Sequence, residues 1–324
     1  MYAFIIRRGL MVIPMMLGIT LISFFIIHLA PGSPTDLVTD LNPNASPQAV
    51  KRLRELYNLD KPVIVQYLLW LKNIATLDFG VSFSMDARPV FDKIAERAPI
   101  TISINIIELV LVFATALPIG VLAATRRYSL FDNLTTIFVF VGFAMPTFWL
   151  ALLLMMVFGV WLNWLPISGL TSLEHDQLSF FGRMADYARH LLMPVLAAGF
   201  MSLAGLSRFT RQNMLEVLRQ DYVTTARAKG LPESAVIFKH CLRNAILPVV
   251  TILALSIPGL IGGSVIFETI FSIPGMGQLL YQGVMARDYP LIMGMLVLTS
   301  FLTLAANLLA DVAYAIVDPR IHYD

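Results

Sequence analysis

Charge is scarce in this chain. Aspartate, glutamate, lysine and arginine make up 14% of its 324 residues, against about a quarter in a soluble domain, so a globular surface cannot be covered in the usual way. The net charge of +2 gives no basic field of the kind that holds nucleic acid. A single cysteine, Cys241, excludes an intrachain disulfide and a thiolate metal cluster. The five histidines are scattered without metal-ligand spacing, and His175 reads as a solvated loop residue. No G-x-x-x-x-G-K-[ST] run occurs, so nothing in the chain cradles a nucleotide phosphate. There is no low-complexity tract and no internal repeat. The missing second half argues against an ion-coupled secondary transporter, which builds its site between repeats. A membrane enzyme is disfavoured too, because no converging Ser/His pair or His-rich metal site appears.

What is abundant is apolar surface. Hydrophobic residues are 57% of the chain and the mean hydropathy is +0.75, which points to lipid as the solvent. A bilayer core about 30 Å thick needs roughly 20 apolar residues at about 1.5 Å each. Six segments meet or approach this: 9–29, 100–124, 133–165, 190–207, 244–267 and 289–317. The third is overlong, with its end near Trp161 and Trp164 expected at the interface. The fourth is short. Arg7 and Arg8 precede the first run as in a signal peptide. The run is too long for one, however, and Ala30-Pro31-Gly32-Ser33-Pro34 offers no small-residue cleavage site. It reads as a retained anchor helix.

The connecting loops set the orientation. With the N-terminus inside, the cytoplasmic segments carry 12 basic and 6 acidic residues, and the outer ones 11 and 13. Eight of the outer basic residues fall in the long 30–98 segment, which translocates largely regardless of charge. The short loops therefore place both termini in the cytoplasm. Within 30–98, Val50, Leu53, Leu56 and Tyr57, then Val65, Leu68, Leu69 and Leu71, read as short amphipathic helices at the outer face. The expected division is an anchor helix over 1–29, a periplasmic helical segment over 30–98, a transmembrane core over 99–317 and a cytoplasmic tail over 318–324.

The 208–243 loop is long, basic and internal. Met214, Leu218, Tyr222 and Ala226 recur every fourth position and draw one apolar stripe on a helix over 214–230. Ala226 and Ala228 permit close approach of another surface. Gly230 stops the helix, and Pro232 opens a second one over about 233–243. Such a hairpin either docks into a groove on a soluble partner or lies on the membrane with its arginines near anionic lipid. The pattern alone leaves both open.

The run Asp221-Tyr222-Val223-Thr224-Thr225-Ala226-Arg227-Ala228-Lys229-Gly230-Leu231 resembles the EAA-loop of ABC-importer permeases, in the form used by the dipeptide/oligopeptide branch. The resemblance continues through Leu242-Arg243-Asn244-Ala245, Leu247-Pro248, Gly262-Gly263, Glu268-Thr269-Ile270-Phe271, Pro274-Gly275-Met276-Gly277, Arg287-Asp288-Tyr289-Pro290 and Asp318-Pro319-Arg320-Ile321. More loosely it takes in Leu29-Ala30-Pro31-Gly32, Leu59-Asp60-Lys61-Pro62, Asp78-Phe79-Gly80 and Pro99-Ile100-Thr101, and so covers essentially the whole chain. Thr224-Thr225-Ala226 stand where the generic loop begins Glu-Ala-Ala, and Ser33 where an acidic residue often sits.

This resemblance implies an all-α membrane protein of six spans, the type I ABC importer permease fold, with a helical periplasmic insertion after the first span. It implies a bacterial inner-membrane location and lipid all round. The implied partners are a second related permease, two ATP-binding subunits that hold ATP and magnesium, and an extracytoplasmic peptide-binding protein. This chain would carry no cofactor and no ATPase site of its own. Tyr222, Thr225, Ala226, Ala228, Lys229, Gly230 and Leu231 would form the contact with the ATPase. The implied cargo is a di- or oligopeptide, with glutathione, chelated nickel or opine-like solutes as alternatives within the branch.

A few intramembrane residues remain. Glu108 and Asp311 are charges in an expensive place and so candidates for a polar pathway. Asp311 reads first as a hydrogen-bond partner of Asn307, one turn away; for Glu108 pathway and internal partner stay open. Pro118, Pro146, Pro194, Pro248 and Pro258 kink or end helices. Gly259, Gly262, Gly263 and Ser264 permit close packing, more as subunit interface than as cargo contact. Met155, Met156, Met293 and Met295 read as lipid-facing or packing residues.

Overall fold

A computed structural model describes the backbone of residues 2–29, 51, 59–84 and 86–317, and within these the side chains of 6–309. The architecture is all-α. Among the described residues the one β-type pairing is an isolated bridge between Val81 and Pro89. The helices begin with α1 (Tyr2–Leu29), α2 (Val63–Ala75) and α3 (Val90–Thr125). Then come α4 (Leu130–Ala144), α5 (Thr147–Leu154, continued by a π-helical turn over Met155–Trp161) and α6 (Phe180–Val217). A hairpin follows, made of α7 (Asp221–Ala228) and α8 (Glu233–Ala245). The chain ends with α9 (Leu247–Ser256), α10 (Val265–Ile270), α11 (Met276–Met285) and α12 (Tyr289–Val317).

Among the described residues four helices, α1, α3, α6 and α12, are each long and apolar enough to cross a bilayer, and two bent pairs raise the number to as many as six. In the first pair α4 and α5 meet at 105°. Met145 and Pro146 are both extended there, at φ −88°, ψ 121° and φ −60°, ψ 128°. A proline disfavours helical backbone in the residue before it, so Pro146 splits the run that had looked overlong at 133–165. In the second pair α8 meets α9 at 47°, with Pro248 in the first turn of α9. The predicted span 244–267 ends earlier than expected: α9 passes into a 3-10 turn over Ile257–Leu260, and Val265–Ile270 is a separate helix.

The remaining spans differ mainly at their ends. α12 has the expected bounds. α3 starts ten residues before Ile100, and the segment that looked short at 190–207 lies inside a 38-residue helix. Hydropathy stops at Arg189 and Arg208, whereas helical hydrogen bonding continues past them wherever the polar ends find partners. α1 leaves Ile6, Leu10, Ile13, Ile22 and Ile26 exposed along its length, the pattern of a helix whose solvent is lipid.

By internal packing the chain forms two units. The first takes in the described parts of Met1–Thr101, Ile261–Val265 and Gly275–Asp324. Its core joins Phe79, Val90, Ile94, Met276, Leu279, Leu291 and Met295. Met293 is buried beside Phe24 and Tyr67, so Met293 and Met295 are packing residues. In α2 the inward face is Tyr67 with Trp70, Leu71 and Ile74; Val65 and Leu68 point outward. The predicted stripe of Val65, Leu68, Leu69 and Leu71 shares only Leu71 with this face, because α2 is apolar nearly all round. The face is chosen by ring packing of Tyr67 and Trp70 on Phe24 of α1, reinforced by a 3.1 Å hydrogen bond between Thr20 Oγ1 and Tyr67 OH. The pattern at Val50, Leu53, Leu56 and Tyr57 falls outside the described residues.

Asp288 ties the loop before α3 to the start of α12. It accepts from Leu291 N at 3.1 Å, Phe83 N at 2.9 Å and Ser82 Oγ. Beside it, Lys93 hydrogen-bonds Asp86 and holds that carboxyl at a pKa of about 2.

The second unit comprises Ile102–Leu260 and Ile266–Pro274. α6 is its axis, with α4, α5, α8 and α9 packed on it. Two glycines let helices approach α6 closely. A Cβ on Gly120 would lie 2.6 Å from Thr210 Cβ and 2.7 Å from Ser207 O, and one on Gly142 would lie 2.6 Å from Ala204 Cβ. Small residues are how helices approach closely in lipid, where apolar burial gives no extra drive. At one end of α6, Arg211 donates to Asp132 through Nε at 2.5 Å and Nη2 at 2.8 Å. At the other end His175 is not solvated: its Nδ1 lies 2.7 Å from Asp186 Oδ2, with the side chain 13% exposed. The Asp186 carboxylate also sits 3.3 Å from His190 Nδ1, and that loop fold-back is invisible in the histidine's sequence neighbours.

Candidate functional site

Two features of the second unit carry chemistry: the α7–α8 hairpin and a cavity between α3, α6 and α9. The hairpin is built differently from the single 214–230 helix that the four-residue repeat suggests. α6 ends at Val217, a turn follows over Leu218–Gln220, and α7 starts afresh at Asp221. Asp221 in the first turn complements the positive helix end; this acidic start was the available sequence signal for a new helix. The turn resets the register, so the inward face of α7 is Val223 and Ala226 rather than Tyr222 and Ala226.

That face closes a small core. Val223 (0% exposed) and Ala226 (6%) pack with Met214 of α6, Val236, Cys241 and Ala245 of α8, and Val121 and Ala124 of α3. Ala226, read from sequence as a seat for a partner, is occupied by its own chain. Gly230 sits at φ +75°, where a glycine is favoured, and Leu231 N returns to Ala226 O at 3.4 Å. Arg227 grips Glu233 across the turn through Nη2 at 2.7 Å and Nε at 3.2 Å, and this carboxylate raises the Arg227 pKa above its ordinary value. Asn244 Nδ2 donates to Tyr222 OH at 2.8 Å. Tyr222, Thr225, Ala228, Lys229, Gly230 and Leu231 remain exposed on one continuous stretch. Six of the seven residues singled out thus form a surface, and the seventh supports it from beneath.

The cavity encloses about 530 Å³, within the roughly 300–1,000 Å³ usual for small-molecule sites. Glu108 and Asn105 of α3, Ser202 of α6 and Ser256 of α9 supply its polar lining, among apolar residues such as Val112 and Phe209. Asn105 Nδ2 donates to Leu260 O at 2.8 Å, and so ties α3 to the 3-10 turn that follows α9. Gly199 lets α6 approach at the level of Glu108: a Cβ there would lie 2.9 Å from Val112 Cγ2 and 3.3 Å from Glu108 Cγ. Gly259 also lines the cavity, and a Cβ on it would meet nothing within 4 Å. Asn307 lies exposed on α12 in the first unit, and the side chain of Asp311 falls outside the described residues.

Kinship in sequence makes this multi-helix membrane protein a transport-system permease. Residues 116–323 match the family described as "Binding-protein-dependent transport system inner membrane component", and residues 1–105 match its N-terminal counterpart, "Binding-prot-dependent transport system membrane comp, N-term". The chain belongs to this family of ABC-importer permeases. It is 46% identical over 323 residues to the oligopeptide transport system permease protein AppB of Bacillus subtilis strain 168, covering 100% of both chains. It is 37% identical over 340 residues to the dipeptide transport system permease protein DppB of Escherichia coli K12, covering 100% of this chain and 99% of the relative. The corresponding figures for the dipeptide permease DppB of Alkalihalophilus pseudofirmus are 36% over 336 residues and 100% of both.

Proposed function

We propose that this chain forms half of the translocation pathway of an ATP-driven, binding-protein-dependent importer whose cargo is di- or oligopeptides. The observation that carries the reading is end-to-end similarity to relatives named as oligopeptide and dipeptide permeases, at 36–46% identity. A binding protein selects the cargo, a second permease completes the pathway, and two ATPase subunits supply the energy. ATP and magnesium belong to those subunits, in keeping with the missing phosphate cradle in this sequence. The membrane is the bacterial inner membrane, with both termini and the 208–243 loop in the cytoplasm. The division into segments 1–29, 30–98, 99–317 and 318–324 belongs to the same reading.

The exposed stretch from Tyr222 to Leu231 is the ATPase contact. ATP binding draws the two ATPase subunits together, the hairpin moves with them, and the spans exchange inward-facing and outward-facing arrangements as rigid bodies. Glu108 lies on the cargo side of this machine, with Asn307 and Asp311 as further pathway candidates.

The test is uptake of a labelled dipeptide into liposomes that hold this chain, its paired permease and their ATPases, with the binding protein supplied. Uptake that requires ATP and is competed by longer peptides is the expected result. Flux of glutathione or chelated nickel without peptide uptake would keep the permease and change its cargo. Uptake that survives ATP depletion under a held ion gradient would overturn the ATP-driven reading.

A further inference from the structure

Glu108 makes no hydrogen bond or ion pair to any described residue, yet it sits well inside a membrane-crossing helix. At about 1.5 Å per residue it lies roughly 16 Å along α3 from Arg97 and roughly 27 Å from Arg126. Neither arginine reaches it, and no lysine, arginine or histidine lines its cavity. Every other polar group in the lining, Asn105, Ser202 and Ser256, is neutral. An intramembrane carboxylate is costly without a counter-charge, so a cation that enters this cavity would stabilise the charged form of Glu108.

We propose that Glu108 is the station for the α-ammonium group of the cargo, with Asn105, Ser202 and Ser256 meeting the adjoining peptide group. The inference rests on the peptide reading above and assigns a chemical role within it. A zwitterionic dipeptide has one group that a carboxylate attracts and one that it repels, so the cavity orients the cargo as well as holding it. Side chains beyond the first peptide group meet only apolar wall, which suits a permease that passes many sequences. Gly199 bears on the same carboxyl: a side chain there would press on Val112 and on the Glu108 side chain.

The experiment compares two cargoes in the assembled importer, a dipeptide with a free amino terminus and its N-acetylated form. Both are supplied at concentrations that saturate the binding protein, so that its own preference drops out. Three forms are measured: unaltered, Glu108→Gln and Glu108→Asp. In the unaltered assembly the free-amine peptide should enter about tenfold faster, the value of one charge-assisted hydrogen bond. Glu108→Gln, which keeps shape and loses charge, should abolish that preference while the thermal midpoint of the assembly stays unchanged. Glu108→Asp should restore part of it. The same preference in all three forms overturns the inference and leaves the peptide reading intact. A preference unchanged in Glu108→Gln but lost in Glu108→Asp overturns it too, because shape and not charge would then be sensed. If the unaltered assembly takes up no peptide of either kind, the peptide reading fails and this inference falls with it.

Discussion

Thr225 and Ala226 stand side by side on α7, one exposed and the other packed against Val121 and Val236. Arginine at the two positions therefore asks two different questions. At 226 it drives an unpaired guanidinium into an apolar core, and the penalty for burying a charge falls on the hairpin itself. At 225 it changes only what a partner meets. We expect Ala226→Arg to lower the thermal unfolding midpoint of the purified chain, and Thr225→Arg to leave it within error of the parent. Both should lose ATP-driven uptake, the first through a disordered hairpin and the second through an obstructed contact. Equal unfolding midpoints in the two variants would contradict the inward placement of Ala226. Normal uptake by Thr225→Arg would remove that residue from the ATPase contact.

Between elements, the tightest polar contact in the second unit is the grip of Arg211 on Asp132. It pins the start of α4 to α6, with the Asp132 side chain 3% exposed and the Arg211 side chain 26% exposed. Asp132 also accepts from Tyr128 N at 2.9 Å, which closes the turn before α4. Removing one partner from such a buried pair costs about 3 kcal/mol, because the other is left charged and unmatched. Asp132→Asn should therefore lower the unfolding midpoint clearly. Arg211→Lys should lower it less, since it keeps the charge but loses the two-point geometry. The double variant Asp132→Asn with Arg211→Gln should recover part of the loss. Thermal unfolding of these forms and of Arg211→Gln alone in one detergent checks the order, and additive losses in the double variant would show that the two residues act independently.

Elements are also where the sequence stops being readable. The bounds of α12 and the break at Pro146 follow from hydropathy and from proline chemistry, both local. The register of α7 was misread because a period of four continued by chance across the Leu218–Gln220 turn. The burial of His175 by Asp186 and the α3–α6–α9 cavity depend on partners from eleven to more than a hundred residues away. Glu108 could be flagged from sequence as an expensive charge, but its lack of a partner among the described residues becomes visible only when its neighbours are placed.

For the molecule as a whole, the proposed function has energy enter through ATPase partners, and the route from hairpin to cavity is short. The hairpin core shares Val121 and Ala124 with α3, and Met214 with α6. On the same two helices Glu108 and Ser202 line the cavity, at about 20 Å and 18 Å along the axis at 1.5 Å per residue. Over 202–214 α6 is helical and free of proline, so it moves as one piece and displacing the hairpin displaces the cavity wall. Loosening the joint should then waste ATP without stopping its hydrolysis. Val223→Ala removes two methyl groups from the core and costs about 1–2 kcal/mol, too little to unfold the chain. In proteoliposomes we expect the ATP hydrolysed per peptide imported to rise severalfold, while Leu255→Ala, on a side chain 64% exposed, leaves the ratio unchanged. If Val223→Ala slows hydrolysis and uptake in proportion, the hairpin is a docking point alone and the helices are not its lever.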